Sequence, residues 1–569
     1  MAETQWKIAE PTDPNAVAEL QKQLGIREDI AQLLENRGVA NFESARQFFR
    51  PTLEELHDPF LMQGMDKAVA RLEQALGDGE KIMVFGDYDV DGTTSVALVY
   101  SFLKDLGHID FYIPDRYKEG YGLSIAGIDY AKENGFGLMI VLDCGVKAVE
   151  KVAHANKLGI DIIICDHHLP GSELPAAIAV LDPKQDGCNY PYKELCGCGV
   201  GFKLLQAFCQ KNGEDMERLF QKLDLVAIAI AADIVPMTGE NRVLCSFGLE
   251  QINQNPSVGI RAMLAHAKIS RALTISDVVF IIGPRINAAG RIASGKKAVE
   301  LLISDNAKEA EIFATRIGAY NIERRALDKS VTEHALQLIE EDDFYTESNS
   351  TVVFHKDWHK GVVGIVASRI IENHYKPTIV LTESEGMATG SARSVSGFDV
   401  HAALCQCEDI LEQFGGHKYA AGMSLKAENV VAFRDRFEQV VSESITEEML
   451  IRKLKIDLEI DLDRITPKFM SMLKQFAPFG PQNLNPLFVS RNLKAEDIQL
   501  MGADRSHLRL KPKQKNVRHF PLQAVAFRMG NFYDRLMAGE RFDLAYSIEE
   551  NHWKDRVSLQ LNVKGIKFV

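Results

Sequence analysis

Five short apolar runs separated by segments of helical length occupy residues 81–240: KIMVFG, DFYIP, GLMIVLD, DIIICD and AIAVLD. The intervening stretches, TSVALVYSFLKDLG and VEKVAHANKLG among them, close on glycine. Strands this apolar need cover on both faces, and the helices between them supply it. An α/β fold with a parallel sheet is therefore predicted. In such a sheet the residues just beyond the carboxyl ends of the strands share one crevice, where ligands bind.

Carboxylates and imidazoles occupy those positions. The first run leads into GDYDVDG, with Asp87, Asp89 and Asp91 at every second residue before a helix that starts near Thr93. Three like charges so close repel unless a cation neutralises them. GLMIVLD ends on Asp143 and DIIICD on Asp166, followed by His167 and His168. Asp233 closes the apolar run LVAIAIAA; its residue type and place fit a helix or strand cap as well as a ligand, and Asp182 shares that ambiguity. Mixed carboxylate and imidazole donors suit Mn²⁺ or Mg²⁺ better than a structural zinc site. Two such ions would serve in-line displacement at phosphorus, so the reaction class read here is hydrolysis of a phosphate ester or anhydride.

The remaining chain divides by pattern. Residues 1–50 read as an amphipathic helical segment, 51–300 as the catalytic α/β domain and 301–345 as a connecting helix with Gly318 as a candidate break. Residues 346–448 read as a second α/β domain and 449–569 as a small β-barrel. Charge is unevenly spread: the chain carries −14 overall, yet residues 451–569 hold 21 Lys and Arg against 13 Asp and Glu. A basic module on an acidic body points to a polyanion partner. Arg505 to Lys515 alternate along an expected strand and would align cations on one face; Phe520, Phe527 and Tyr533 are candidate stacking residues, though aromatics so placed more often belong to the core. The nine cysteines, including the pairs Cys196/Cys198 and Cys405/Cys407, read as reduced structural thiols. No signal core or membrane-length apolar run is present, so a cytoplasmic protein without membrane association is expected.

The ordered motifs GDYDVDGTTS, DRYKEGYG, LDCG, DHH and AADIVP resemble the DHH phosphoesterase superfamily, and GPRINAAGR, GSARS and GGHKYAAG resemble its partner DHHA1 domain. With the long helix and basic OB-like barrel, the chain resembles the single-strand-specific 5′→3′ DNA exonucleases of that superfamily. The resemblance implies release of 5′-mononucleotides by two ions, Mn²⁺ or Mg²⁺, in DNA repair, mismatch repair and recombination. It assigns the metals to Asp89, Asp91, Asp143, His167 and Asp233, with Asp87 and His168 in catalytic support. It also implies a 5′-phosphate pocket from Arg116, Ser391 and Arg393, while Arg285, Asn287, Arg291 and His417 touch the strand or brace the cleft. Implied partners are single-stranded DNA, a single-strand-binding protein and a RecQ-type helicase, with the enzyme a monomer. Two rivals are a superfamily enzyme acting on dinucleotides or pyrophosphate, and a non-catalytic replication scaffold. The basic barrel argues against the first and the complete acid set against the second.

Overall fold

The computed structural model describes residues 4–10, 13–515, 517–518, 521–553 and 556–569. It forms two compact units, one built mainly from residues 317–454 and the other from 7–290, 294–316 and 455–569. The amphipathic helices at the start are preceded by a strand: β1 (Gln5–Ile8) comes before the helices Pro14–Leu24, Glu28–Glu35 and Phe42–Phe49, so the segment is not helical throughout.

The larger unit holds a wholly parallel sheet of β2 (Lys81–Gly86), β3 (His108–Tyr112), β4 (Phe136–Leu142), β5 (Asp161–Cys165) and β6 (Ala179–Leu181), in the order β3-β2-β4-β5-β6. From β2 the chain winds first to one side and then to the other, placing a topological switch point between β2 and β4. Register across the sheet aligns Gly86 with Leu142, Leu142 with Cys165 and Cys165 with Leu181. The next residue in each strand is therefore at one level: Asp87, Asp143, Asp166 and Asp182. The run closed by Asp233 is helical, Leu223–Ala232, and Asp233 is its C-cap.

The smaller unit contains a second sheet, β7 (Thr351–Phe354), β8 (Thr378–Ser384), β9 (Met387–Arg393), β10 (Gln413–His417) and β11 (Ala420–Lys426), ordered β10-β11-β9-β8-β7. Only β7 and β8 run parallel in it. The helix Ala307–Glu341 runs unbroken through Gly318 for 35 residues, roughly 50 Å at 1.5 Å per residue. One glycine costs a helix only about 1 kcal/mol relative to alanine, too little to interrupt one this long.

After the short strand β12 (Lys453–Ile456), six strands build the barrel: β13 (Leu458–Glu459), β14 (Phe488–Met501), β15 (His507–Gln514), β16 (Gln523–Ala526), β17 (Phe542–Trp553) and β18 (Arg556–Phe568). Their order is β13-β14-β15-β16-β18-β17, and pairing of β14 with β17 closes it. The three N-terminal helices do not stand alone. Val17, Leu20, Ile30, Leu33, Leu34 and Phe48 join the barrel's Phe476, Phe488, Leu508 and Phe542 in one apolar core. Among the described residues no helix is long and apolar enough to cross a membrane.

The alternation of β15 is as expected, with Leu508, Leu510 and Pro512 buried. Its cations share the other face but do not form a free positive strip. Arg509 donates to Gln499, Lys511 pairs with Asp497 at 2.5 Å and Lys513 with Glu496 at 2.8 Å. These partners lie on β14, which pairs antiparallel with β15 and brings its acids opposite. Phe520 lies outside the described residues, Tyr533 packs against the barrel core, and Phe527 is exposed with His507 edge-on at 5.4 Å.

Candidate functional site

Three strand ends and one helix end converge on His167. Its Nε2 stands 3.3 Å from Asp143 Oδ1, 3.6 Å from Asp233 Oδ2 and 3.8 Å from Asp91 Oδ2, and makes no hydrogen bond among the described residues. Two donor sets with ligand spacing result, Asp91–His167–Asp233 and Asp143–His167–His168. Asp143 adopts φ 59°, the left-handed region an aspartate tolerates better than most residues, as the chain turns sharply off β4.

Asp91 is held by backbone donors. Its Oδ2 accepts from Gly197 N–H at 2.6 Å and its Oδ1 from Cys198 N–H at 2.8 Å. These residues open the helix Gly197–Asn212, whose positive end faces the acids. A Cβ on Gly197 would lie 2.6 Å from that of Asp143, so only glycine lets the helix approach this closely. The CGCG stretch reads in sequence as thiols alone; its backbone contribution leaves no signature in residue type. All nine cysteines are indeed free, and Cys405 alone is exposed.

Asp89 occupies a different position. Its carboxylate accepts from Gly92 N–H at 3.0 Å and caps the helix Val90–Leu103, outside both donor sets. It is close enough for its charge to act on Asp87, Asp91, Asp143 and Asp233. Asp87 is fully buried; Oδ1 accepts from Gly122 N–H at 3.2 Å, and Oδ2 has no hydrogen-bond partner among the described residues.

Burial first, and the neighbouring acids second, push Asp87, Asp91, Asp143 and Asp233 well above the usual carboxylate range. Burial also drives His167 down to about 3, which leaves a neutral imidazole with a lone pair to donate. Packed acids destabilised by their own charge, around a neutral histidine nitrogen without a hydrogen bond, fit a divalent cation. Hard oxygen donors with one imidazole match Mn²⁺ or Mg²⁺.

His168 is set by Asp166 of DHH and by Tyr121, to which the spacing of the motifs assigns no role. Its Nδ1 lies 2.7 Å from Asp166 Oδ1 and its Nε2 3.2 Å from Tyr121 Oη. Asp166 also accepts from the N–H groups of His167, His168 and Val146. Burial opposes its charge, but the hydrogen bond and charge of His168 win, and the carboxyl falls to about 2. Burial likewise opposes charging of His168, yet Asp166 holds its pKa above the ordinary value. Asp182 sits at the same sheet level, with Oδ1 accepting from Lys184 N–H at 2.7 Å.

Arg116 lies 3.9 Å over the Tyr88 ring, its Nε buried without a hydrogen-bond partner among the described residues. Arg285 Nη1 donates to Ile281 O at 2.7 Å, and Asn287 Oδ1 is buried without a hydrogen-bond partner among the described residues. In the smaller unit, Arg393 Nη1 donates to Ser391 Oγ at 2.8 Å, the two side chains sharing a face of β9. A Cβ on Gly364 would lie 3.1 Å from Arg393 Nη2 and 3.2 Å from Ser391 Oγ. Gly364 is the second residue of the helix Val363–Asn373, so a helix N-terminus, a guanidinium and a hydroxyl meet, a ready anion cradle. Arg291 Nη1 donates to Gly361 O at 2.9 Å, and the exposed His417 accepts from Tyr419 N–H at 3.3 Å.

The chain matches the family models of the DHH family N-terminal domain over residues 81–230, the DHHA1 domain over 347–443 and the RecJ OB domain over 456–565. It is similar to the single-stranded-DNA-specific exonuclease RecJ of Bacillus subtilis (strain 168), 39% identical over 564 residues, covering 98% of this chain and 70% of that protein. The protein of the same name from Escherichia coli (strain K12) is 34% identical over 526 residues, covering 89% and 90%. Among solved structures, RecJ in complex with Mn²⁺ from Thermus thermophilus superposes with a TM-score of 0.85 at 27% identity, covering 99% of this chain and 79% of that one. The Mg²⁺ complex gives 0.80 at 26% identity, covering 99% and 78%.

Proposed function

The chain belongs to the RecJ family of single-stranded-DNA-specific exonucleases, and from that membership we propose that it digests single-stranded DNA from the 5′ end. The products are 5′-mononucleotides, and the setting is DNA recombination and repair, mismatch repair included. The observation that carries the reading is the ring of Asp91, Asp143 and Asp233 around His167 Nε2 at the carboxyl edge of the sheet. Asp89, Asp91, Asp143, His167 and Asp233 would hold two divalent cations, Mn²⁺ or Mg²⁺. When bound, such ions neutralise phosphate oxygens and acidify the attacking water.

The chain's own residues do the rest. His168, hydrogen-bonded to Asp166 and Tyr121 and with its pKa held above the ordinary value by Asp166, offers a proton to the phosphate or the departing oxygen. Asp87, buried among the acids, fastens the Gly122 segment beside them. In the smaller unit Ser391 and Arg393, with the helix N-terminus at Gly364, offer donors to a phosphate oxygen, and in the larger unit Arg116 offers a guanidinium to a phosphate. Arg285, Asn287, Arg291 and His417 contact the strand or hold the elements that do. On the barrel, a cavity of about 750 Å³ lined by Lys494, Lys515, Arg518 and Arg541, with the Lys513–Glu496 pair at its wall, attracts the strand's phosphates.

A single-strand-binding protein and a RecQ-type helicase would supply the unwound strand in the cytoplasm, and the reading needs no second subunit. The test is digestion of strands labelled at either end, with Mn²⁺, with Mg²⁺ and with chelator. Metal-dependent release of a labelled mononucleotide first from the 5′ end is expected. Release first from the 3′ end, or faster turnover of dinucleotides than of long 5′-phosphorylated strands, would overturn the reading.

A further inference from the structure

The exposed aromatic Phe280 stands on an irregular element fastened to the metal centre. Its side chain is 76% exposed, more than that of any other phenylalanine among the described exposed apolar residues. It lies in a π-helical stretch, Val278–Ile282, that runs into the helix Gly283–Ile292. Isolated exposed apolar residues are common, but π-bulges concentrate at functional sites, and this one has a defined address.

The helix that follows packs against the neighbours of two of the acids. A Cβ on Gly283 would lie 3.7 Å from that of Ala232, the residue before Asp233. A Cβ on Gly290 would lie 2.7 Å from Tyr88 O, between Asp87 and Asp89. The widened turn leaves the ring in solvent, and Arg285 caps Ile281 O directly after it. Next to Asp233, Ile234 is 68% exposed at φ 60°, a conformation that β-branched residues avoid. Apolar side chains held out in water in strained or irregular backbone beside a phosphate-hydrolysing centre are positioned for a ligand with an apolar face.

We propose that Phe280 stacks on a nucleobase of the strand whose backbone enters the metal centre. This rests on the exonuclease reading above. A base follows its own phosphate through one sugar, so an exposed aromatic on an element packed against Ala232 and Tyr88, the neighbours of the acids, stands within reach of a base. Stacking on a π-face requires no particular base, which suits digestion without sequence preference. Phe280 is thus a positioning residue for the substrate strand, with Arg285 the neighbouring cation.

The test compares the parent, Phe280→Ala and Phe280→Trp on two 5′-phosphorylated single strands, one natural and one with abasic tetrahydrofuran units at its 5′ end. On the natural strand Phe280→Ala should lose about tenfold in kcat/KM, mainly through KM, and Phe280→Trp should keep the parent value. On the base-free strand the parent should already be slow, and Phe280→Ala should change nothing further. An equal loss on both strands, or no loss on the natural one, would overturn the stacking role. If the parent itself leaves single strands intact, the exonuclease reading falls and takes this proposal with it. If the parent digests them and Phe280→Ala is unaffected, only the stacking proposal falls.

Discussion

Replacing Arg242 by methionine tests how the barrel is fixed to the catalytic domain. Arg242, on the helix Gly239–Gln254, is buried without a carboxylate partner among the described residues, and burial lowers its pKa to about 10. It remains charged at neutral pH and donates five hydrogen bonds to backbone carbonyls: two to Phe48 and one each to Phe476, Ala477 and Pro478. Its guanidinium also lies 3.9 Å over the Phe48 ring. Asn483 Nδ2 donates to the carbonyls of Phe476 and Pro478, so those keep a donor in the variant. The carbonyls of Phe48 and Ala477 have no other donor among the described residues. Two buried acceptors at ~1–3 kcal/mol each, partly offset by no longer burying a charge, give a loss of about 2–4 kcal/mol. The unit carrying these residues has about 420 residues. At ~2.1 cal/mol/K per residue, each kcal/mol lowers the midpoint by about 1 °C, so calorimetry should show its transition fall by about 2–4 °C. Arg242→Lys should fall between the two. A methionine variant melting with the parent would refute the claim that these carbonyls depend on Arg242.

Three further outcomes follow from the site. In metal-free protein, melting temperature should fall as pH rises from about 6.5 to about 8, because Asp87, Asp91, Asp143 and Asp233 bind protons more tightly folded than unfolded. His168, also raised, acts in the same direction, while His167, held at about 3, opposes only below about pH 6.5. Saturating Mn²⁺ should remove this slope, and a slope of opposite sign without metal would contradict the placement of the acids. Asp166→Asn should lower kcat about 10–100-fold while leaving Mn²⁺ affinity within a few-fold, measured by kinetics and calorimetry. Arg393→Ala should raise KM for 5′-phosphorylated strands about 10–100-fold and leave 5′-hydroxyl strands nearly unchanged; equal losses on both would remove it from phosphate binding.

The sheet and its acids were legible because each depends on a local pattern: an apolar run ending on Asp or His. Asp87, Asp143 and Asp166 therefore fell at one level once the register was known. Asp233 was ambiguous because a helix end and a strand end look alike after LVAIAIAA. Long-range contacts left no such trace. Backbone donors at Gly197 and Cys198, Tyr121 on His168, and Arg242 across to residues 476–478 join segments tens to hundreds of residues apart. The basic run on β15 misled for the same reason, since its acids arrive on the paired strand β14. Cap and ligand also compete for one carboxylate, and in this structure Asp89 serves as cap.

The central claim is that His167 and the acids around it hold the catalytic cations, and His167→Ala tests it most directly. Mn²⁺ titration by calorimetry and strand digestion should be followed on the same preparation, with circular dichroism to show that the fold persists. The account predicts that a folded variant loses at least one Mn²⁺ site and its 5′ digestion together. A folded variant that binds Mn²⁺ and digests strands as the parent does would contradict it.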